Sequence, residues 1–240
     1  DKKFKTGQLD VLFINKSTNF DYEIKKDFLT FKSKNKNNFY DGIVYYKPFY
    51  FSANFNYEGI SSKNLFNDDS ILFDLIKSEL FNNTNLNVDL NINVKDIVNV
   101  NELNDLNLKI GIQEGLISFS NSKIMWKDDL EILLKESLLN YDKNQVSLIG
   151  KIIIDIKDKD NFYSSYQVKK IYRKDLKEIK IDFVYNLNKN IINFDNIKVD
   201  GLSNPDIDKF VDDFNSRTNK RLNKIIIKNF IGNFFRIYSG

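Results

Sequence analysis

The chain has 240 residues, 42% hydrophobic and 14% aromatic with only 2 Pro and 9 Gly, which describes a folded protein with a real core and excludes a disordered or collagenous one. It has no Cys and no His, so disulfides, thiolate nucleophiles, Cys/His zinc sites and imidazole acid–base chemistry are excluded. The formal net charge of +3 is too small to point to nucleic acid, and no apolar run approaches the ~20 residues of a membrane-spanning helix.

Alanine occurs only at Ala53, while Asn, Lys, Ile, Leu and Phe abound, a bias expected of an AT-rich coding sequence. Single asparagines therefore receive little weight. The chain opens at Asp1 rather than Met and is expected to continue from a longer parent.

Residues 8 to about 60 alternate in short runs, QLDVLFIN, FLTFKSK and DGIVYYKPFYFSANFNYEG. These predict four or so antiparallel strands, with turns at Asp41-Gly42 and Glu58-Gly59 and Pro48 at an edge or bulge. The period then changes. DDSILFDLIKSELF places Ile71, Leu72, Leu75, Ile76 and Leu80 in a helical stripe behind Asp68, Asp69 and Ser70, which predicts an amphipathic helix over Asp68 to Phe81.

From Asn85 to Val199 the chain returns to alternation in seven segments: NLNVDLNINV, LNLKIGI, GLISFSNSKIMW, LEILLKESLLNY, QVSLIGKIIIDI, KEIKIDFVYNL and KNIINFDNIKVDG. Short polar connections join them, so an antiparallel meander is expected and a parallel sheet is not, since crossover helices are missing. In NLNVDLNINV the aliphatic residues all fall on one face. Leaving five of them exposed forfeits roughly 8–15 kcal/mol, so a second sheet, helices or a lipid must cover them.

Helical spacing returns after Asn204. NPDIDKFVDDFNS puts Pro205 at a helix start and Ile207, Phe210, Val211 and Phe214 on one side. RLNKIIIKNFIGNFFRIY continues with Leu222, Ile225, Ile226, Phe230, Phe234 and Ile237 apolar, although Ile225 to Ile227 could equally open a strand and Gly232 weakens a helix. No acidic residue follows Asp213, so this end is basic and apolar. The expected fold is mainly β: a long, curved antiparallel meander or groove with two or three amphipathic helices. Residues 1–62 form N-terminal strands, and residues 63–240 carry the helix, the meander and the C-terminal helices.

The order of these blocks resembles the C-terminal region of AsmA-like bacterial envelope proteins. The resemblance runs from about Leu65 to Tyr238 and is carried by the cadence of Leu106, Leu108, Gly115, Ile117, Phe119, Ser122, Ile124, Trp126 and Asp128. It implies a periplasmic part of an inner-membrane-anchored protein, with the anchor outside this chain. Members of that family are repeating β-groove lipid carriers that support outer-membrane assembly, so phospholipid or another acyl lipid is the implied partner. A membrane surface and envelope proteins are further partners, and nucleic acid is not one.

On this reading the lipid-facing candidates are Leu86, Val88, Leu90, Ile92 and Val94, then Leu106, Leu108, Ile110 and Ile112, then Ile152, Ile154 and Ile156, then Ile179, Ile181 and Phe183. The contrasting reading is a closed β-rich structural or interaction module with an ordinary core. Arg217, Lys220, Arg221, Lys224 and Lys228 are candidates for headgroups or a membrane surface, against the plainer role of a solvated helix end. The acidic clusters Asp68/Asp69, Asp128/Asp129, Asp155/Asp158/Asp160 and Asp206/Asp208/Asp212/Asp213 read as capping or solvated groups, since no EF-hand Gly or Glu accompanies them. No enzyme activity, catalytic residue, metal or cofactor is expected.

Overall fold

The computed structural model describes residues 4–13, 16–35, 38–61, 83–142, 145–165, 167–217 and 224–239. Among these the protein is mainly β, with fourteen strands and three α-helices. It divides into two compact units, residues 1–122 and 123–240. The expected boundary at 62/63 falls inside the first.

The first unit contains β1 (Lys5–Phe13), β2 (Lys16–Ile24), β3 (Phe28–Ser33), β4 (Asn38–Tyr46), β5 (Phe49–Ser61), β6 (Val88–Val98), β7 (Leu103–Gln113) and β8 (Leu116–Ser118). Sequence neighbours pair antiparallel, with one exception: β5 and β6 run parallel. Alternation reports which face a side chain takes but not strand direction, so this pair went unforeseen. Residues 62–87 connect the two strands, a length that a parallel crossover demands. The helix expected over Asp68 to Phe81 belongs to this connection and lies outside the described residues.

Five strands occupy residues 5–61, where four or so were expected. Asp41 and Gly42 lie inside β4, and Glu58 and Gly59 inside β5; the turn is at Lys47–Pro48, whose peptide bond is cis. Gly42 serves packing, not a turn. A Cβ at that position would stand 2.4 Å from Phe31 Cζ and 2.7 Å from the Ser52 carbonyl oxygen.

The polar face of this unit is built, not merely wetted. Asn107 Nδ2 donates to both Asn91 Oδ1 (2.7 Å) and Asn93 Oδ1 (2.6 Å). Asn91 in turn donates to Asn54 (3.5 Å) and Asn54 to Asp41 (3.2 Å), while Asn93 donates to Asn56 (2.8 Å) and Asn56 to the Phe39 carbonyl (3.3 Å). Two chains of amides thus cross β7, β6, β5 and β4. The asparagines set aside as compositional bias form this ladder.

The second unit holds β9 (Lys123–Trp126), β10 (Leu130–Asp142), β11 (Gln145–Ile156), β12 (Glu178–Asn186), β13 (Ile191–Val199) and β14 (Leu202–Ser203). These pair antiparallel in sequence order, as the meander predicted. GLISFSNSKIMW is two strands, β8 and β9, parted by a turn in which Asn121 takes φ 65°, a conformation asparagine tolerates.

Three helices cover one face of this sheet: α1 (Lys159–Ser165), α2 (Pro205–Ser216) and α3 (Lys224–Ser239). The short α1 was not anticipated. Its signal lay in Asp158, whose carboxylate accepts the Asn161 N–H (2.9 Å) in the manner of a helix cap. α2 begins as read, with the Asn204 side chain accepting from Asp206 N–H and Pro205 in the first turn. Its Ile207, Phe210, Val211 and Phe214 are all buried. α3 is helical through Ile225 to Ile227 and through Gly232.

The core joins sheet and helices through aromatic rings. Phe230 of α3 meets Phe194 of β13 at 4.5 Å, Phe214 at 4.9 Å and Phe210 at 5.1 Å between centroids. Asn215 then clips α2 to β13: its Oδ1 accepts the Phe194 N–H (3.1 Å) and its Nδ2 donates to the Phe194 carbonyl (2.6 Å).

Asn107→Ala removes both ladder donations at once and leaves two half-buried acceptors without them. It is expected to cost about 1–2 kcal/mol, read as a lower urea midpoint at unchanged slope. Gly232→Ala is expected to do the opposite. A Cβ there meets nothing within 4 Å, so the helix gains about 0.5–1 kcal/mol and the melting temperature of the second unit rises.

Candidate functional site

Register partners in the first unit line up into rows that cross the strands on the face opposite the asparagine ladder. One row reads Gly7, Tyr22, Phe31, Gly42, Ala53, Leu90 and Ile110 from β1 to β7. A flanking row reads Ile24, Leu29, Val44, Phe51, Val88, Ile112 and Ile117 from β2 to β8, with Lys5 at its rim. On the other side Leu9 pairs with Phe20, and Tyr40, Phe55, Ile92 and Leu108 pair in succession. The result is a dry face spanning seven strands and more.

In the middle row a glycine stands beside each ring, Gly7 beside Tyr22 and Gly42 beside Phe31, because the rings need the room. A Cβ on Gly7 would lie 2.5 Å from the Tyr22 hydroxyl, and Phe31 occupies the corresponding space over Gly42. Phe31 and Phe51 then stand 6.3 Å apart, Phe20 and Phe31 5.9 Å, Tyr40 and Phe55 5.6 Å, and Tyr40 and Tyr57 5.3 Å. The β2–β5 half of the face is thus aromatic, and the β6–β7 half aliphatic.

Burial sorts the candidates read from the sequence. Val88, Val94, Ile110 and Ile112 are buried, whereas Leu86, Leu90, Ile92, Leu106 and Leu108 keep part of their surface. Phe20, Tyr22, Phe31, Phe51 and Phe55 are likewise half-buried, and Leu9 at the β1 edge is 55% exposed. Sequence reading missed this aromatic half, although the alternation of Phe and Tyr in FLTFKSK and KPFYFSANF carried its signal.

The remaining six candidates do not look out on a trough. Ile179, Ile181 and Phe183 are buried in the core of the second unit, and Ile152, Ile154 and Ile156 pack against it. They were expected to face lipid, but Phe162 and Tyr163 of α1, the α2 stripe and Phe230, Phe234 and Phe235 of α3 share that core with them. Of the headgroup candidates, Arg217 is exposed and ends α2, where its N–H donates to the Phe214 carbonyl. Lys220 and Arg221 lie outside the described residues; Lys224 and Lys228 fall in the first turns of α3.

The electrostatics of the dry face are quiet. Burial, followed by the neighbouring Tyr57, holds the Tyr40 phenol well above the ordinary tyrosine value, and burial raises Tyr57. Both hydroxyls stay neutral at any ordinary pH. A depression of about 730 Å³ is lined by Asp21, Glu23, Lys32, Asp41 and Asn54 together with Tyr22, Phe31 and Ile43.

Among the described residues no group of three or more Asp or Glu could hold a metal ion. No helix among them is long and apolar enough to cross a membrane. The acidic residues are used structurally. Asp129, expected to be a capping or solvated group, is 2% exposed in the β9–β10 turn; its Oδ1 accepts from Asn161 of α1, and its carbonyl accepts from the N–H groups of Lys157 (2.7 Å) and Asp158 (3.0 Å).

In the second unit, burial pushes the Tyr163 phenol up from 10.0 to about 12. The unfolded chain ionises first, so stability from the neutral phenol is complete below pH 10.0 and is lost as pH rises through about 12. Tyr163→Phe is expected to flatten this alkaline decline, measured by thermal melts across that range.

Comparison with protein-family models, with curated proteins and with solved structures finds no match to this chain.

Proposed function

We propose that the dry face of the first unit holds acyl chains, and that the chain is a non-enzymatic, periplasmic part of an AsmA-like envelope protein. It binds or conducts lipid between inner and outer membrane in support of outer-membrane assembly. The observation that carries this reading is that one face of the first unit gathers half-buried rings, Phe20, Tyr22, Phe31, Phe51 and Phe55, beside the half-buried aliphatic residues Leu90, Ile92 and Leu108. Such a surface attracts hydrocarbon by burial and dispersion and offers no hydrogen-bond code for a headgroup. A chain without His or Cys has neither imidazole nor thiolate with which to turn a bound lipid over.

The closed-module reading keeps one specific observation in its favour. In the second unit helices cover the corresponding face, and Ile152, Ile154, Ile156, Ile179, Ile181 and Phe183 are core. The two units therefore take different parts in the proposal: the first carries cargo, and the second is a folded module.

Native mass spectrometry of the chain purified from bacterial membranes is expected to show co-purifying phospholipid. Leu90→Asp is expected to abolish uptake of a fluorescent fatty acid while circular dichroism stays unchanged; Ile154→Asp is expected to unfold the second unit instead. A clean apo mass with no uptake by the wild type sinks the acyl-chain reading and leaves the closed module.

A further inference from the structure

The segment between α1 and β12 carries an apolar residue that the fold holds outward. Ile171 is 81% exposed and Tyr172 43% exposed, on a single 3-10 turn over Lys170–Tyr172. The turn is closed by Tyr172 N–H to the Lys169 carbonyl (2.9 Å) and Arg173 N–H to the Lys170 carbonyl (3.2 Å). An exposed isoleucine is ordinary on a loose loop. This loop is not loose.

Its base is fastened on every side. Arg173 donates to the Val168 carbonyl (3.0 Å) and to Ser164 Oγ (3.0 Å) and pairs with Asp160 (3.5 Å). Leu176 is 2% exposed, and Val168 packs on the core. Lys174 Nζ donates to the Tyr238 carbonyl (2.7 Å), and the Tyr238 hydroxyl returns a bond to the Asp175 carbonyl (3.0 Å). The chain thus leaves and rejoins the core within a few residues, with Ile171 at the tip.

A second apolar residue stands at the same end of the sheet. Ile179 pairs with Val199, so the start of β12 lies beside the β13–β14 turn, where Asp200 Oδ1 accepts from Lys177 N–H (3.0 Å) and Glu178 N–H (2.8 Å). Two residues on, Leu202 is 74% exposed. Of the carboxylates at this end, Asp175 pairs with Lys159, Asp160 with Arg173, and Asp200 holds backbone N–H groups, while Asp206 and Asp208 are exposed in the first turn of α2. Lys169 and Lys170 are exposed and, among the described residues, form no ion pair; Lys177 is exposed as well and acts electrostatically on Asp175.

We propose that this end of the second unit docks on an anionic lipid surface. Ile171, Tyr172 and Leu202 enter the boundary between headgroups and acyl chains, while Lys169, Lys170 and Lys177 meet the phosphates. The pairing of rigidly held apolar tips with exposed lysines selects a membrane over a nucleic acid, because a polyanion in water gives the tips nothing to bury against. The proposal concerns the second unit alone. It survives failure of the acyl-chain uptake assay.

The test is flotation of the full chain with vesicles of phosphatidylcholine alone or mixed in about equal parts with phosphatidylglycerol. The wild type is expected to float only with the anionic vesicles, and less so at high salt. Ile171→Asp is expected to weaken binding about tenfold or more, and Lys169→Glu with Lys170→Glu likewise. Leu138→Asp, at a 43% exposed site on β10, is expected to bind as the wild type does, and all variants to melt alike. Failure of the wild type to bind anionic vesicles overturns the proposal, as does wild-type binding by Ile171→Asp. Retention on RNA that needs the lysines but ignores Ile171, without vesicle binding, overturns it in favour of a polyanion site.

Discussion

Everything in the first unit depends on the register in which β6 lies beside β5. Ala53 stands opposite Leu90 and Phe55 opposite Ile92, while Asn54 stands opposite Asn91 and Asn56 opposite Asn93. A slip of one residue would turn each aliphatic side chain to the wet side and each amide to the dry one. Each misplaced aliphatic forfeits ~1.5–3 kcal/mol and each unmet half-buried amide another ~1–3 kcal/mol, so one register is strongly specified. The amides also reinforce one another: in the chain Asn107, Asn91, Asn54, Asp41 every donation points toward the carboxylate, so each bond polarises the next.

The two units meet the same demand in different ways. In the second, the dry face of β10 to β13 is matched by three helices whose aromatic rings interlock with it, and Asn215 fixes α2 where that matching requires. In the first, the strands themselves supply much of the cover, since Tyr22 and Phe31 lean over Gly7 and Gly42. Rings laid across glycines shield backbone but remain half exposed. On the proposed reading, that residual exposure is what an acyl chain would cover.

Strand positions were legible because alternation is a local signal, and β6, β7, β10, β11, β12 and β13 stand where it placed them. The start of α2 was legible for the same reason, through Asn204 and Pro205. What escaped was long-range or ambiguous. The parallel β5–β6 pair depends on the chain's path, and Asp41-Gly42 has the composition of a turn but serves a ring on the next strand. The asparagine ladder needs four strands in register before it exists. Of the candidate face, alternation put the aliphatic residues of β6 and β7 on one side, but nothing in Ile152 to Ile156 or Ile179 to Phe183 distinguishes a face that helices cover from one that they do not. That distinction resides in α1, α2 and α3, which meet the sheet only in three dimensions.

The ladder and the dry face are two sides of one set of strands, and this sets what the face can do. A sheet held rigid from behind by amide chains cannot fold its apolar rows onto one another, so Leu90, Ile92 and Leu108 stay accessible even though collapse would bury them. On the proposed reading, an acyl chain would meet a surface already in place, with little ordering of the protein on binding. Because the rows contain rings and aliphatic groups but hardly a charge, the proposed affinity would follow chain length and fit more than headgroup identity. On the same reading, discrimination among lipids would come from groups outside these rows.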